Sequence, residues 1–155
     1  MQTRGPALNI DYINAKKPTI SGQGATRTLN ENESGSQVLF DRAAGIIYTL
    51  PTAKPGIFFD FFVSTTITSN NAKVITSAGT EFILGGVNSI DTDSSNVEVG
   101  FLANGTTHVA ITQNGTTTGG IRGTSFRLTC VSTTLWKIEG DILGSGVVAT
   151  PFATS

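Results

Sequence analysis

Few residues of this chain have the types and spacing that chemistry requires. Asp91 to Asn96 begins like a calcium-binding loop, in which alternate carboxylate and amide oxygens bind the ion. The match stops there, because Asn96 takes the place of the turn glycine and Leu102 takes the place of the final glutamate. A turn with side-chain hydrogen bonds explains this spacing better. We therefore expect no metal-binding residues.

His108, Asp60 and Cys130 are isolated candidates for acid–base or nucleophilic catalysis. His108 is the only histidine and lies on the polar face of its segment, so we expect it to be exposed. Asp60 has no His, Lys or second carboxylate near it in sequence, which favours a structural carboxylate bonded to hydroxyls or backbone amides. Cys130 is the only cysteine, which excludes an intrachain disulfide, and its apolar neighbours favour a core position. The sequence predicts a protein that is not an enzyme, with no catalytic or cofactor-binding residues and no cofactor.

Two glycine pairs, Gly85-Gly86 and Gly119-Gly120, could suggest phosphate binding. Neither belongs to a Walker or dinucleotide-binding motif, and no strand-to-helix pattern follows them. We predict that both pairs form turns.

The surrounding segments have the period-two alternation of half-buried strands. Between Thr107 and Val131, THVAITQ and TSFRLTCV flank the glycine-rich linker NGTTTGGIRG, which predicts a β-hairpin with Phe126, Leu128 and Cys130 in the core. SQVLFD and IIYTL around Ala44-Gly45 predict a second hairpin. No segment has a sustained period of 3.6 residues, so helix should be nearly absent. The fold class is all-β, a β-sandwich or jelly-roll-like barrel of roughly nine to eleven short strands.

The segment IFFDFFVS is apolar on both faces of the predicted strand. Such a strand is either central in the fold or covered by another chain. We therefore predict that its aromatic residues supply the core or a subunit interface: Phe58, Phe59, Phe61 and Phe62.

Residues 1–35 differ in composition from residues 36–155, which we predict to be a single β-domain. Glycine, proline and polar residues dominate this first segment, with only short apolar groups, which is typical of an extended N-terminal arm. The arm is either a disordered leader or a segment that orders against a partner. Its small positive excess favours docking on an acidic surface. The candidate binding residues of the arm are Arg4, Ile10, Tyr12, Ile13, Lys16 and Lys17.

Composition limits the partners. Charged residues make up 14% of the 155 residues and the formal net charge is −1, which makes nucleic acid a poor partner. No apolar run approaches the roughly 18 residues of a membrane span, and the first residues lack the apolar region of a signal peptide. We expect synthesis in the cytoplasm and no membrane partner. Threonine occurs 24 times and supplies a polar surface without charge, which favours association with other proteins.

Several motifs carry a family resemblance: LFDRAAGIIYTLP, FFVSTTITSNNAKVIT, FILGG, NGTTTGG and GSGVVATPF. Over about residues 36–153 the chain resembles small β-rich structural proteins of tailed phages, particularly phages of marine bacteria and cyanobacteria. The resemblance implies a capsid decoration, or cement, protein on the outer surface of the virion head. It further implies a homotrimer whose partner is the major capsid protein.

A second function remains open at this point. A receptor-binding or tail-fibre module would recognise host surface glycans or proteins, and the threonine- and asparagine-rich loops would suit sugar hydroxyls. Glycan sites usually contain an exposed aromatic platform, however, and aromatic residues are only 8% of this chain. Trp136 lies on an alternating face that predicts a core position.

Overall fold

The chain forms two facing β-sheets. The computed structural model describes residues 17–22, 24–94 and 97–155. The large sheet has seven strands in the spatial order β1-β3-β5-β10-β11-β7-β8: β1 (Thr19–Ile20), β3 (Gln37–Phe40), β5 (Phe58–Val63), β7 (Phe82–Asp91), β8 (Val99–Asn104), β10 (Ser125–Ser132) and β11 (Leu135–Gly144). The small sheet has five, in the order β12-β9-β6-β4-β2: β2 (Thr26–Thr28), β4 (Ile47–Thr49), β6 (Ala72–Ile75), β9 (Ala110–Gln113) and β12 (Phe152–Ala153).

This architecture confirms the predicted all-β sandwich. The described residues contain twelve strands, slightly more than the number expected. The one helical element among them is a short 3-10 turn at Glu31–Glu33, which agrees with the absence of a helical period.

The first six strands alternate between the two sheets. Strands two apart in sequence therefore pair in parallel, with Thr19 opposite Gln37 and Gln37 opposite Asp60 in the large sheet. In the small sheet, Thr26 pairs with Ile47 and Ile47 with Lys73. The first half of the fold thus winds around the core, with one strand in each sheet per turn.

The strand order of the two sheets overturns both predicted hairpins. β3 and β4 lie in opposite sheets, so the Ala44-Gly45 segment crosses between the sheets. β9 and β10 also lie in opposite sheets, and the NGTTTGGIRG linker is a second crossing. β10 forms its hairpin with β11 instead, with Leu128 opposite Ile138. For β10 the buried face was predicted correctly, with Phe126, Leu128 and Cys130 in the core, but the partner strand was not.

The sandwich interior is aromatic at its centre. Phe61 stacks on Phe126 with a centroid separation of 5.1 Å, and Tyr48 of the small sheet meets Phe40 of the large sheet edge-on at 5.2 Å. The Tyr48 hydroxyl donates a 2.7 Å hydrogen bond to the Leu39 carbonyl, and burial raises the pKa of Tyr48 well above its ordinary value. Trp136 is fully buried, as its alternating segment predicts.

Two further predictions need correction. Residues 1–35 were assigned to an arm, but in the described part of that segment β1 and β2 are strands of the sheets, and Ile20 and Leu29 are in the core. Gly85-Gly86 is not a turn, because both residues lie inside β7. Gly85 has φ +121, and a side chain there would overlap the Ile138 carbonyl oxygen of β11, so glycine permits the close approach of these two strands.

Candidate functional site

The outer face of the large sheet carries a charged cluster built around Asp60. Asp60 of β5 lies directly opposite Arg127 of β10. The Arg127 guanidinium binds both carboxylate oxygens, Nε to Oδ1 at 2.5 Å and a terminal nitrogen to Oδ2 at 2.8 Å. Lys17, which comes just before β1, also forms an ion pair with Asp60. Burial, together with the neighbouring Arg127 charge, lowers the pKa of Lys17.

Asp60 has the structural role that the sequence predicts, but its partners differ from those expected. The carboxylate is satisfied, but by two cations instead of hydroxyls and backbone amides. A two-point contact between a guanidinium and a carboxylate is a strong and geometrically specific hydrogen-bonded pair. The contact between Arg127 and Asp60 therefore joins β10 to β5 on the outer face of the large sheet.

The aromatic residues of β5 divide between the two faces. Phe59 and Phe61 are buried in the core. Phe58 and Phe62 are half-buried on the outer face, and the Arg127 guanidinium lies 4.7 Å from the Phe58 ring centroid in a cation–π contact. A shallow groove of about 320 Å³ beside this cluster includes Phe62, Asp60 and Arg127 in its lining.

The β8 edge, defined here as Leu84 of β7 together with residues 97–104, is exposed and mostly apolar, and its one charged residue, Glu98, lies just before β8. The exposed fractions are 81% for Val97, 77% for Leu102, 43% for Leu84 and 39% for Val99. β8 is the outermost strand of the large sheet and contains no charged residue and no proline. Edge strands of monomeric proteins usually carry such residues to prevent pairing with another chain. The β8 edge is therefore suited to contact with another protein.

His108 and Cys130 have structural positions. His108 is half-buried, not exposed as expected: its ring stacks on Phe152 at 5.7 Å and its Nδ1 accepts a 3.1 Å hydrogen bond from the Asn104 amide. Cys130 is buried as predicted, and burial raises the pKa of its thiol. A buried thiol that stays protonated is not a nucleophile.

One buried carboxylate was missed by sequence reasoning. Glu81 accepts hydrogen bonds from the Ala53 amide at 3.0 Å, the Ser77 hydroxyl at 2.9 Å and the Trp136 indole nitrogen at 3.4 Å. These hydrogen bonds join the loop that contains Ala53, the segment just before β7, and Trp136 of β11. The only signal in the sequence is its position directly before the apolar run FIL.

The remaining candidates lie in loops or outside the description. In the Asp91 loop, the Asp91 carboxylate accepts a hydrogen bond from the Asp93 amide, as expected for a turn. Within residues 17–22, 24–94 and 97–155, no three His, Cys, Asp or Glu side chains are grouped to hold a metal ion. The described part of the chain also has no helix with the length and apolar composition to cross a membrane. The arm residues outside the described residues are Arg4, Ile10, Tyr12, Ile13 and Lys16.

No protein-family model, no curated protein and no solved structure matches this chain.

Proposed function

We propose that this chain is a virion structural protein of a tailed phage, a decoration protein that binds the outer surface of the capsid and stabilises the head. The motif resemblance over residues 36–153 suggests this role. The all-β sandwich is compatible with it. The partners in this proposal are the major capsid protein and further copies of the chain itself, in a homotrimer.

The observation that carries the proposal is the β8 edge. An uncharged apolar edge strand leaves backbone N–H and C=O groups available to a neighbouring protein. Val97 and Leu102 are largely exposed beside it, so the isolated chain leaves apolar surface in water. A second copy of the chain covers this surface in the proposed homotrimer.

In this proposal the arm, now limited to residues 1–16, supplies the contact with the capsid. Lys17 forms an ion pair with Asp60 just before β1, and β1 and β8 are opposite edges of the large sheet. Subunit contacts at the β8 edge would therefore lie away from β1. Three arms on one trimer strengthen a weak individual contact through effective concentration. The Lys17 ammonium is held by Asp60, a carboxylate that it shares with Arg127. The proposal therefore assigns capsid binding to the other five candidate residues of the arm: Arg4, Ile10, Tyr12, Ile13 and Lys16.

The test uses purified undecorated heads. The full chain should cosediment with the heads, and a variant without residues 1–16 should bind more weakly while keeping its thermal unfolding transition, because β1 and β2 are retained. The matched control is Arg122→Gln, which removes an exposed positive charge from the domain without touching the arm. Equal binding by the truncated and full chains would exclude the arm as the main anchor. Failure of the full chain to bind any heads would exclude the decoration role.

Copy number separates this proposal from a receptor-binding or tail-fibre module. A decoration protein occurs many times on each head, whereas a fibre module occurs only a few times per virion. The structure offers the receptor-binding alternative little support, because the large exposed hydrophobic residues among those described are all aliphatic. The loop asparagines Asn104 and Asn114 also use their side chains in local hydrogen bonds, Asn104 with the Thr106 amide and Asn114 with the Thr116 amide.

A further inference from the structure

The outer face of the small sheet carries a groove of about 550 Å³. Its floor is a row of residues in register across four strands: Thr26, Ile47, Lys73 and Thr112. Its walls come from the loop between β3 and β4 and the loop between β5 and β6. We name this surface the small-sheet groove.

The small-sheet groove is lined mainly by uncharged residues. Ile47 is the large apolar residue of its floor and is 39% exposed. Of the two cations in the lining, Lys73 is bonded at 2.5 Å to an oxygen of Ser155. Arg42 is exposed and takes part in none of the ion pairs between described residues. The groove therefore offers a neighbour an apolar floor and one available guanidinium.

The β8 edge has the matching features. Val97 and Leu102 are its most exposed apolar residues, at 81% and 77%. Its one charged residue, Glu98, is exposed and, like Arg42, takes part in no ion pair within the described part of the chain. The edge thus combines apolar side chains with one available carboxylate. The two surfaces are complementary in apolar character and in the sign of their charge.

A homotrimer with threefold symmetry requires contact between two different surfaces of the chain. Pairing of β8 with β8 of a second copy would be twofold and would complete a dimer. Pairing of β8 with β1, the opposite edge of the same sheet, would extend the sheet in one direction and would form an open chain of copies. Contact between an edge of the large sheet and the outer face of the small sheet turns each copy relative to the last. Ring closure requires such a turn.

Three large exposed hydrophobic residues lie outside the β8 edge in the part of the chain that the structure describes: Ile47, Val131 and Val147. Val131 is on β10, and Val147 is in the loop between β11 and β12. Ile47 lies in the floor of a groove. A side chain inserted into a groove is shielded from water on several sides, which strengthens its contribution to binding. The small-sheet groove is therefore the best apolar partner for the β8 edge.

We propose that the β8 edge of one copy docks in the small-sheet groove of the next copy, and that three such head-to-tail contacts close the homotrimer. The inference rests on the proposed function and assigns the two surfaces that meet in its homotrimer. Leu102 of one copy packs on Ile47 of the next. Glu98 binds Arg42 across the same contact, so each of these charges gains an opposite partner.

Charge exchange tests the contact in solution. Arg42→Glu and Glu98→Arg each bring like charges together, so each should weaken association in sedimentation velocity at least roughly tenfold. Both substitutions in one chain restore opposite charges, and association should return to within about threefold of the wild type. The matched control is Arg122→Glu, which reverses an exposed cation outside the groove and should associate like the wild type. Thermal unfolding of each variant confirms that it is folded.

Cysteine cross-linking tests which surfaces meet. A chain with both Ile47→Cys and Leu102→Cys carries one cysteine on each of the two contacting surfaces and should form covalent trimers on mild oxidation. Leu102→Cys alone should remain free of cross-links, since the native Cys130 is buried. Covalent dimers of Leu102→Cys alone would show that β8 meets β8, which would overturn the inference.

Further results would also overturn it. One is association of both single charge variants like the wild type, and another is failure of the combined variant to recover. A third is normal association of the charge variants together with weakened binding to heads, which would assign the groove to the capsid protein.

Cosedimentation with undecorated heads separates this inference from the decoration role. If the wild-type chain binds heads while the charge variants associate normally, the docking inference fails and the decoration role stands. If the wild-type chain binds no heads but charge exchange behaves as predicted, the decoration role fails and the docking contact stands. If the wild-type chain is monomeric in solution, the double-cysteine chain is oxidised on the heads. Covalent trimers there support the contact, and their absence overturns it.

Discussion

At the scale of single residues, the sequence identified which side chains are buried better than it identified what they bind. Asp60 was predicted to be a satisfied structural carboxylate, and it is. Its partner Arg127 lies 67 residues away and becomes its neighbour only because β5 pairs with β10. Alternation places a residue on a face of a strand, but it does not say which strand lies alongside. Long-range ion pairs of this kind therefore could not be predicted from the sequence.

Glu81 is the residue whose removal we expect to be most costly outside the apolar core. Glu81→Ala leaves the Trp136 indole N–H and the Ala53 amide without their acceptor in a buried site, and should reduce the free energy of unfolding by about 2–4 kcal/mol. Glu81→Gln keeps one carbonyl acceptor and should cost less. Urea denaturation followed by Trp136 fluorescence measures both. A loss below about 0.5 kcal/mol for the alanine variant, the range typical of surface substitutions, would contradict the role assigned to Glu81.

At the scale of elements, alternation identified the buried face of β10 correctly and the connections of the strands wrongly. Phe126, Leu128 and Cys130 point into the core as predicted. The same alternation satisfies a hairpin within one sheet or two strands in facing sheets, because both arrangements bury every second residue. The glycine-rich linkers were interpreted as hairpin turns, yet they cross between the sheets. Nothing local in these linkers distinguishes the two uses of glycine.

The crossing after β9 depends on close contact between loop backbones. Gly115 has φ +84, and a side chain there would overlap the Ile67 carbonyl oxygen. Gly56 also has positive φ, +98, but no atom lies within 4 Å of the position its side chain would occupy. Substituting each glycine therefore separates the free-energy cost of the backbone conformation, which both positions share, from the cost of the close contact, which only Gly115 makes.

We predict that Gly115→Ala destabilises the protein far more than Gly56→Ala. Gly56→Ala should cost about 1–2 kcal/mol, the penalty for a left-handed backbone conformation. Gly115→Ala should cost at least about 2 kcal/mol more, because the methyl group forces the loop away from Ile67. Thermal and urea unfolding of the two variants give the comparison. Equal losses would mean that the loop moves without strain and that its contact with Ile67 contributes little.

At the scale of the whole molecule, the order of the strands determines which surfaces are available. The winding of the first six strands places β1 at one edge of the large sheet, and the β7–β8 hairpin places β8 at the other. Composition predicted a low-charge surface suited to association, but the position of the associating edge depends on strand order. That order follows from pairings between distant segments, which the sequence does not display.

The β8 edge leads to a prediction about self-association. Leu102→Lys adds a charge to the exposed outermost strand, and edge charges prevent pairing with another chain. The matched control is Val131→Lys on β10 of the same sheet, where Val131 is also exposed but β10 is an inner strand that pairs with β5 and β11 along residues 125–129. Both substitutions should change the free energy of unfolding by less than about 0.5 kcal/mol, since both sites face solvent.

Sedimentation velocity over a range of protein concentrations measures the outcome. The wild-type chain and Val131→Lys should associate alike, and Leu102→Lys should weaken association by roughly tenfold or more, the effect of losing about 1.4 kcal/mol of contact energy. If Val131→Lys weakens association as much as Leu102→Lys does, the contact lies on the face of the large sheet instead of its edge. Phe58 and Phe62, half-buried on that face, would then become the residues to substitute next.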